Sequence, residues 1–243
     1  MLVLSIKLVI IVYMTKIYIT GDIHGDPFRF STKKFPEGKK LTKEDYVIVA
    51  GDFGIIWKND SGREEQYKLK WLRDKPWTTL FVDGNHENHE RLDILPTEEK
   101  FGGKVGVVCQ DVYHLKRGEI YQIGGKSFFT FGGAHSTDRE SRRIGVSWWD
   151  RELPNYAEMD YGLGQLEKVK YSVDYIITHT IPRSLIEVLG FSKRPIEGDD
   201  PTIKYLDHIA HATTFKKWYF GHMHVDRDLG KFRALYEYID EIM

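Results

Sequence analysis

Five short apolar runs, each stopping abruptly at polar residues, constrain this chain more than any other feature. They are "KIYIT" (16–20), "YVIVA" (46–50), "TTLFV" (78–82), "VDYIIT" (173–178) and "KKWYF" (216–220). Each is rich in β-branched or aromatic residues, which suits a buried strand. Thirty residues separate Asp22 from Asp52, and thirty-three separate Asp52 from Asn85. A strand–helix–strand unit takes about 30 residues, so neighbouring strands are predicted to run parallel and to end on one edge of a sheet. Open α/β sheets keep their ligand sites beyond that edge.

Helical periodicity fills the gaps. Residues 63–74, 163–171 and 202–213 are amphipathic, with fair helix propensity. The centre differs: "EIYQIGGKSFFTFGGAHS" (119–136) reads as two strands around a Gly-Gly turn. The order predicts an α/β protein with mixed sheets. A chain of 243 residues can bury a substantial core. No repeat, low-complexity tract or linker divides it, so one domain is expected over 14–243. Residues 1–13, "MLVLSIKLVIIVY", stand apart. The apolar run 8–13 is shorter than the roughly 20 residues of a membrane span, and no small-residue cleavage site follows. Met14 then opens "MTKIYITGDIHG". The stretch reads equally as the product of an upstream start or as an added edge strand.

The strand ends carry the chemistry. Asp22 and His24 stand in "ITGDIHGD", Asp52 in "VAGDFG", and Asn85 and His86 in "VDGNHE". His179 stands in "IITHTIP", and His222 and His224 in "YFGHMHVD". Gly21, Gly51, Gly84 and Gly221 sit beside these groups, where a sharp turn or a close backbone approach is needed. Imidazole, carboxylate and amide donors without thiolate suit Mn, Fe, Zn or Co better than a structural Cys–zinc site. Cys109 is alone and completes neither a thiolate site nor an internal disulfide. The pairs Asp22/His24 and His222/His224 are two residues apart. In extended chain such pairs share a face; in a turn they can reach two adjacent ions. Asp52 has two oxygens and can bridge. Two ions about 3.5–4 Å apart clamp a phosphoryl group and generate a hydroxide nucleophile at neutral pH.

The ordered set D-x-H, GD, GNHE, H and GH-x-H resembles the calcineurin-like metallophosphoesterase family, over about residues 16–240. The resemblance implies a four-layer α/β/β/α sandwich with two mixed β-sheets and a dinuclear centre. One ion would take Asp22, His24, Asp52 and His224, the other Asp52, Asn85, His179 and His222. Two divalent ions are implied, Mn²⁺ first, with Fe, Zn, Co or Ni as alternatives. His86 matches the family's catalytic histidine, which binds no metal. The implied reaction is hydrolysis of a phosphomonoester or phosphodiester through a metal-bridging hydroxide.

One branch does not fit. Protein Ser/Thr phosphatases of the family continue the second motif as GD-x-x-DRG. Here it reads "GDFGIIW", with Ile55 and Ile56 where the aspartate and arginine would fall. Arg139, Arg142 and Arg143, in "GGAHSTDRESRR", are candidate replacements for the phosphate grip. Asp83 and Glu87 read either as supports to the metal ligands or as loop ion pairs. His89, His114, His135, His208 and His211 read as ordinary surface or helix histidines. The formal net charge of −1 and the lack of a basic stripe favour a small phosphorylated substrate over nucleic acid. A nuclease and a non-catalytic binding scaffold stay as alternatives, although a scaffold should have lost ligands and every position is filled. No membrane partner is expected, the single cysteine points to a cytoplasmic setting, and the oligomeric state is left open.

Overall fold

The computed structural model describes residues 14–192 and 200–243. Residues 1–13, which carried two readings, lie outside the described residues. The first three apolar runs are β1 (Ile17–Thr20), β2 (Tyr46–Ala50) and β3 (Thr78–Val82), paired in parallel. Beside them lie β4 (Thr97–Lys100), β5 (Gly103–Cys109) and β6 (Val112–Leu115). β6 is parallel to β3, while β5 and β4 turn back antiparallel. The Gly-Gly hairpin is β7 (Ile120–Ile123) and β8 (Lys126–Phe131). β9 (Tyr175–Thr178) and β10 (Lys217–Phe220) are the last two apolar runs. Three short strands follow: β11 (Arg227–Leu229), β12 (Phe232–Ala234) and β13 (Ile239–Glu241).

These strands make two mixed sheets. One has seven strands in the order β13-β1-β2-β3-β6-β5-β4, the other six in the order β11-β12-β10-β9-β8-β7. The strands read as continuous apolar runs because both faces are covered. Ile17, Ile19, Ile48, Ala50, Leu80 and Val82 point between the sheets, against Phe128, Tyr175, Ile177 and Tyr219 of the second sheet. The alternate residues Tyr18, Val47, Val49 and Phe81 point outward. On that outer face they meet Leu72 of helix α1 (Arg63–Arg73). Beyond the second sheet, Ile176, Trp218 and Phe220 pack on α3 (Tyr156–Lys168) and α4 (Pro201–Ala212). A short helix, α2 (His89–Asp93), follows β3. Three apolar layers thus separate four layers of secondary structure, the expected α/β/β/α sandwich.

The strand ends meet across the two sheets rather than on one. β1, β2 and β3 deliver their loops from the first sheet, β9 and β10 from the second. The loops are bonded to one another: Ile23 and His24 N–H donate to the Asp52 carbonyl, and Gly221 N–H to the His179 carbonyl. Among the described residues no helix is long and apolar enough to cross a membrane.

Candidate active site

The loops place their polar side chains by leaving the strand conformation abruptly. His24, Asp52, His222 and His224 all have positive φ, between 45° and 61°. Aspartate and histidine tolerate this left-handed region better than most residues, yet strained backbone concentrates at functional sites because the surrounding fold must enforce it. Close packing then demands glycine beside them. A Cβ on Gly84 would sit 2.1 Å from Asp52 Oδ1, and one on Gly51 would sit 2.0 Å from His179 Nδ1.

Two groups of donors result. Asp22, His24, Asp52 and His224 each present one ligand atom within 4.8 Å of all the others. His24 Nε2 and His224 Nε2 are 3.0 Å apart, and His224 Nε2 is 3.1 Å from Asp22 Oδ2. In the second group, His179 Nε2 lies 3.0 Å from Asn85 Oδ1 and 3.2 Å from Asp52 Oδ1. The rings of His179 and His222 meet edge to face at 5.0 Å. His222 and His224 therefore serve different neighbours, as a turn allows and an extended strand does not. Asp52 is common to both groups: Oδ2 faces His24 at 3.7 Å while Oδ1 faces His179. The donor chemistry, oxygen and imidazole with no thiolate, fits two divalent ions of the Mn class.

Burial and charge compete here. Burial alone pushes the His179 imidazole down, but Asp52 and Asp22 beside it and the Ala50 carbonyl raise it to about 10. Burial pushes His222 down to about 4, helped by His179. Asp52 is buried, which pushes its carboxyl up, yet the neighbouring histidines hold it far below the usual carboxylate range. The buried carboxylates thus draw a proton onto His179, and a divalent cation competes with that proton.

His86 stands at the mouth. Its backbone N–H donates to Asp52 Oδ1 at 2.7 Å. Its ring stacks near Trp57, at 5.9 Å and 23°, and meets His24 edge to face at 5.0 Å. Arg142 Nη1 and Nη2 lie 3.3 and 3.2 Å from the two ring nitrogens. Those nitrogens diverge, so one planar guanidinium reaches both only from over the ring face. Burial lowers the His86 pKa, Asp52 opposes this, and Arg142 lowers it further. Asp138 Oδ2 accepts from Arg142 Nη2 at 2.7 Å. No contact joins the side chains of Arg139 or Arg143 to these site residues among the described residues.

A model of the calcineurin-like phosphoesterase family matches residues 15–226. The chain belongs to this family. Three curated relatives are lariat debranching enzymes. The one from Schizosaccharomyces pombe is 25% identical over 207 residues, covering 75% of this chain and 43% of that protein. Lariat debranching enzyme A from Xenopus laevis is 23% identical, covering 86% and 43%. The one from Danio rerio is 22% identical, covering 92% and 42%. The chain therefore spans less than half the length of these relatives. Among solved structures, a phosphopantetheinyl hydrolase from Mycobacterium tuberculosis superposes with a TM-score of 0.47 at 14% identity, covering 92% of this chain and 88% of that one.

This calcineurin-like phosphoesterase also uses residues that the sequence motifs do not mark. Asn85 Nδ2 donates to Ser136 Oγ at 3.1 Å, and Ser136 is gripped by Glu152 at 2.7 and 2.8 Å. The chain fixes which way the amide points, turning its oxygen toward His179. Glu87 accepts from Phe53 and Gly54 N–H at 2.6 and 3.2 Å, pinning the loop that bears Asp52. Asp83 makes a loop ion pair, but a buried one. It is buried with Arg117, at 2.9 and 2.5 Å, and His114, at 3.0 Å. His89 and His114 are buried around it, and so are not surface histidines. No local pattern could have shown this, because the partners lie about 30 residues away.

Proposed function

We propose that this chain hydrolyses a phosphomonoester or phosphodiester, with two divalent ions, Mn²⁺ first among them, held on the two donor groups that share Asp52. The observation that carries this is the convergence of Asp22, His24, Asp52 and His224 within 4.8 Å from three separate strand ends. Bound ions of this kind polarise a phosphoryl oxygen and lower the pKa of a water. The chain's own residues do the rest. Asp52 spans the two groups and fixes their separation. Asn85, aimed by Ser136 and Glu152, supplies a neutral oxygen that tempers the charge. Arg142, of the three candidate arginines, is the one beside His86 and in place to grip phosphate oxygens. His86 hands a proton to the departing oxygen. Its lowered pKa is opposed by the negative phosphate itself, so protonation accompanies substrate.

A hydrolysis screen with Mn²⁺ tests this, using aryl mono- and diesters, nucleotides, phosphopeptides and single-stranded DNA. Ion-dependent turnover that disappears in Asp52→Asn is expected. A chain that binds two ions and cleaves none of these esters overturns the proposal. A nucleic-acid phosphodiester is the second reading, favoured by the likeness to three enzymes named for debranching lariats. Cytoplasm is the proposed compartment, in keeping with the single cysteine.

A further inference from the structure

A cavity of about 300 Å³ opens beside His24 and His86 and runs away from the donor cluster toward the first turn of α1. Its volume lies at the lower end of the range for small-molecule clefts, about 300–1,000 Å³. Gly54, Ile55 and Trp57 line one part of it. Two of the positions that would carry the missing phosphatase signature, 55 and 57, thus line this cleft with an aliphatic side chain and an indole. Gly54 lets the two loops of that wall close on each other, because a Cβ there would meet Gly25 N at 2.7 Å.

The outer wall is charged. Lys58, Arg63 and Lys68 line it together with Glu64 and Glu65. Glu65 is taken by Arg91, at 2.6 and 2.7 Å, and Glu64 by Lys68 at 2.6 Å. Lys58 is a loose 3.9 Å from Glu64, and among the described residues Arg63 makes no ion pair. The wall therefore has positive charge to spare. Gly62 begins α1 without a capping side chain, which keeps the cleft open there: a Cβ at this position meets nothing within 4 Å.

We infer that this cleft is a specificity subsite that takes a planar heterocycle of nucleoside size on one arm of the phosphoester, with its polar edge toward Lys58 and Arg63. The inference rests on the phosphoester reading above and names its substrate class. An apolar and aromatic wall suits a flat ring, since base–aromatic contacts are sequence-tolerant. The basic rim suits the ring's carbonyl oxygens or a neighbouring phosphate. Continuity with His24 and His86 places the ring one ester arm away from the phosphorus.

The test compares two esters with the same leaving group, thymidine 5′-(4-nitrophenyl) phosphate and methyl 4-nitrophenyl phosphate, in the Mn²⁺-loaded full chain. Wild type should prefer the thymidine ester. Gly62→Leu, at a lining position where an added Cβ meets nothing within 4 Å, should lower the ratio of their kcat/KM values at least ten-fold. Arg63→Gln, on an exposed and unpaired cation, should lower it about three-fold and flatten its salt dependence. A second readout needs no turnover: calorimetric titration of thymidine 5′-monophosphate into the metal-free chain. Gly62→Leu should weaken that binding at least ten-fold. Equal effects of Gly62→Leu on both esters, or unchanged nucleotide binding, overturn the inference. If wild type cleaves neither ester, the diester form of the phosphoester reading fails by itself, and the titration decides the cleft independently.

Discussion

His24 and His224 hold their Nε2 atoms 3.0 Å apart although 200 residues of chain separate them. Asp22 Oδ2 lies 3.1 Å from the second of these nitrogens and 3.9 Å from the first. Two imidazole nitrogens and a carboxylate oxygen that converge in this way make the point they share a candidate cation site. Elemental analysis after reconstitution should find close to two ions per chain. His224→Ala should retain about one, and Asp52→Asn should weaken both and abolish turnover. Retention of two tightly held ions by Asp52→Asn would show that it does not bridge.

His86→Asn should keep both ions and lose rate. General acid assistance is worth about 10²–10⁴-fold, so the loss should reach that range for alkyl phosphates and be far smaller for nitrophenyl phosphates. Metal content and kcat are measured side by side. Equal kcat of mutant and wild type on alkyl esters removes His86 from the proton transfer, and loss of an ion makes it a ligand instead.

Gly84→Ala should damage the site directly. Its Cβ would lie 2.1 Å from Asp52 Oδ1 and 2.3 Å from Asp52 N. A displaced ligand should cost about 10–100-fold in metal affinity, read by competition with a chelator. Gly164→Ala is the opposite case. Nothing lies within 4 Å of its Cβ, and it sits inside α3. That change should stabilise the fold by about 0.5–1 kcal/mol in denaturant unfolding.

Arg117→Met should destabilise the protein by about 3–5 kcal/mol, because it leaves the Asp83 carboxylate buried without its main counter-charge. Asp83 and Arg117 side chains are 2% and 6% exposed, so water cannot substitute. The double change Asp83→Asn with Arg117→Met should recover part of that loss. Urea midpoints at pH 7 supply the comparison, and a single-mutant cost below 1 kcal/mol would show that His114 and His89 suffice.

Glu158 gives a pH signature. Burial pushes its carboxyl up, but the hydrogen bond from Arg151, the charge of Arg117 and the Asn155 N–H outweigh this and hold it below 4.5. A carboxylate with a depressed folded value stabilises fully above its unfolded value and loses that contribution as pH falls through the folded one. Glu158→Gln should therefore be less stable than wild type by about 1–3 kcal/mol at pH 7. The gap should close on acidification below about pH 4.5. A gap that stays constant from pH 7 to pH 3 would assign the effect to packing.

The sequence by itself determined the five site-bearing strands and their order. The boundaries 46–50 and 78–82 coincide with β2 and β3, since doubly buried strands must be apolar throughout and must stop where the chain meets polar chemistry. It determined less of α3, whose first turns, from Tyr156, precede the amphipathic run at 163. Gly162 obscures the pattern there, and the reason is tertiary: a Cβ at that position would meet Tyr205 Oη at 2.4 Å. The edge strands β4 and β11 were illegible because exposed edges need no apolar alternation. At the site, the motifs named the donors, while the two-sheet packing decided how they meet. Ser136 and Glu152 behind Asn85, Arg142 over His86, and the cleft at Trp57 all join segments 16 to 62 residues apart. Local sequence encodes which groups leave a strand; only the packed core fixes where distant loops bring them together.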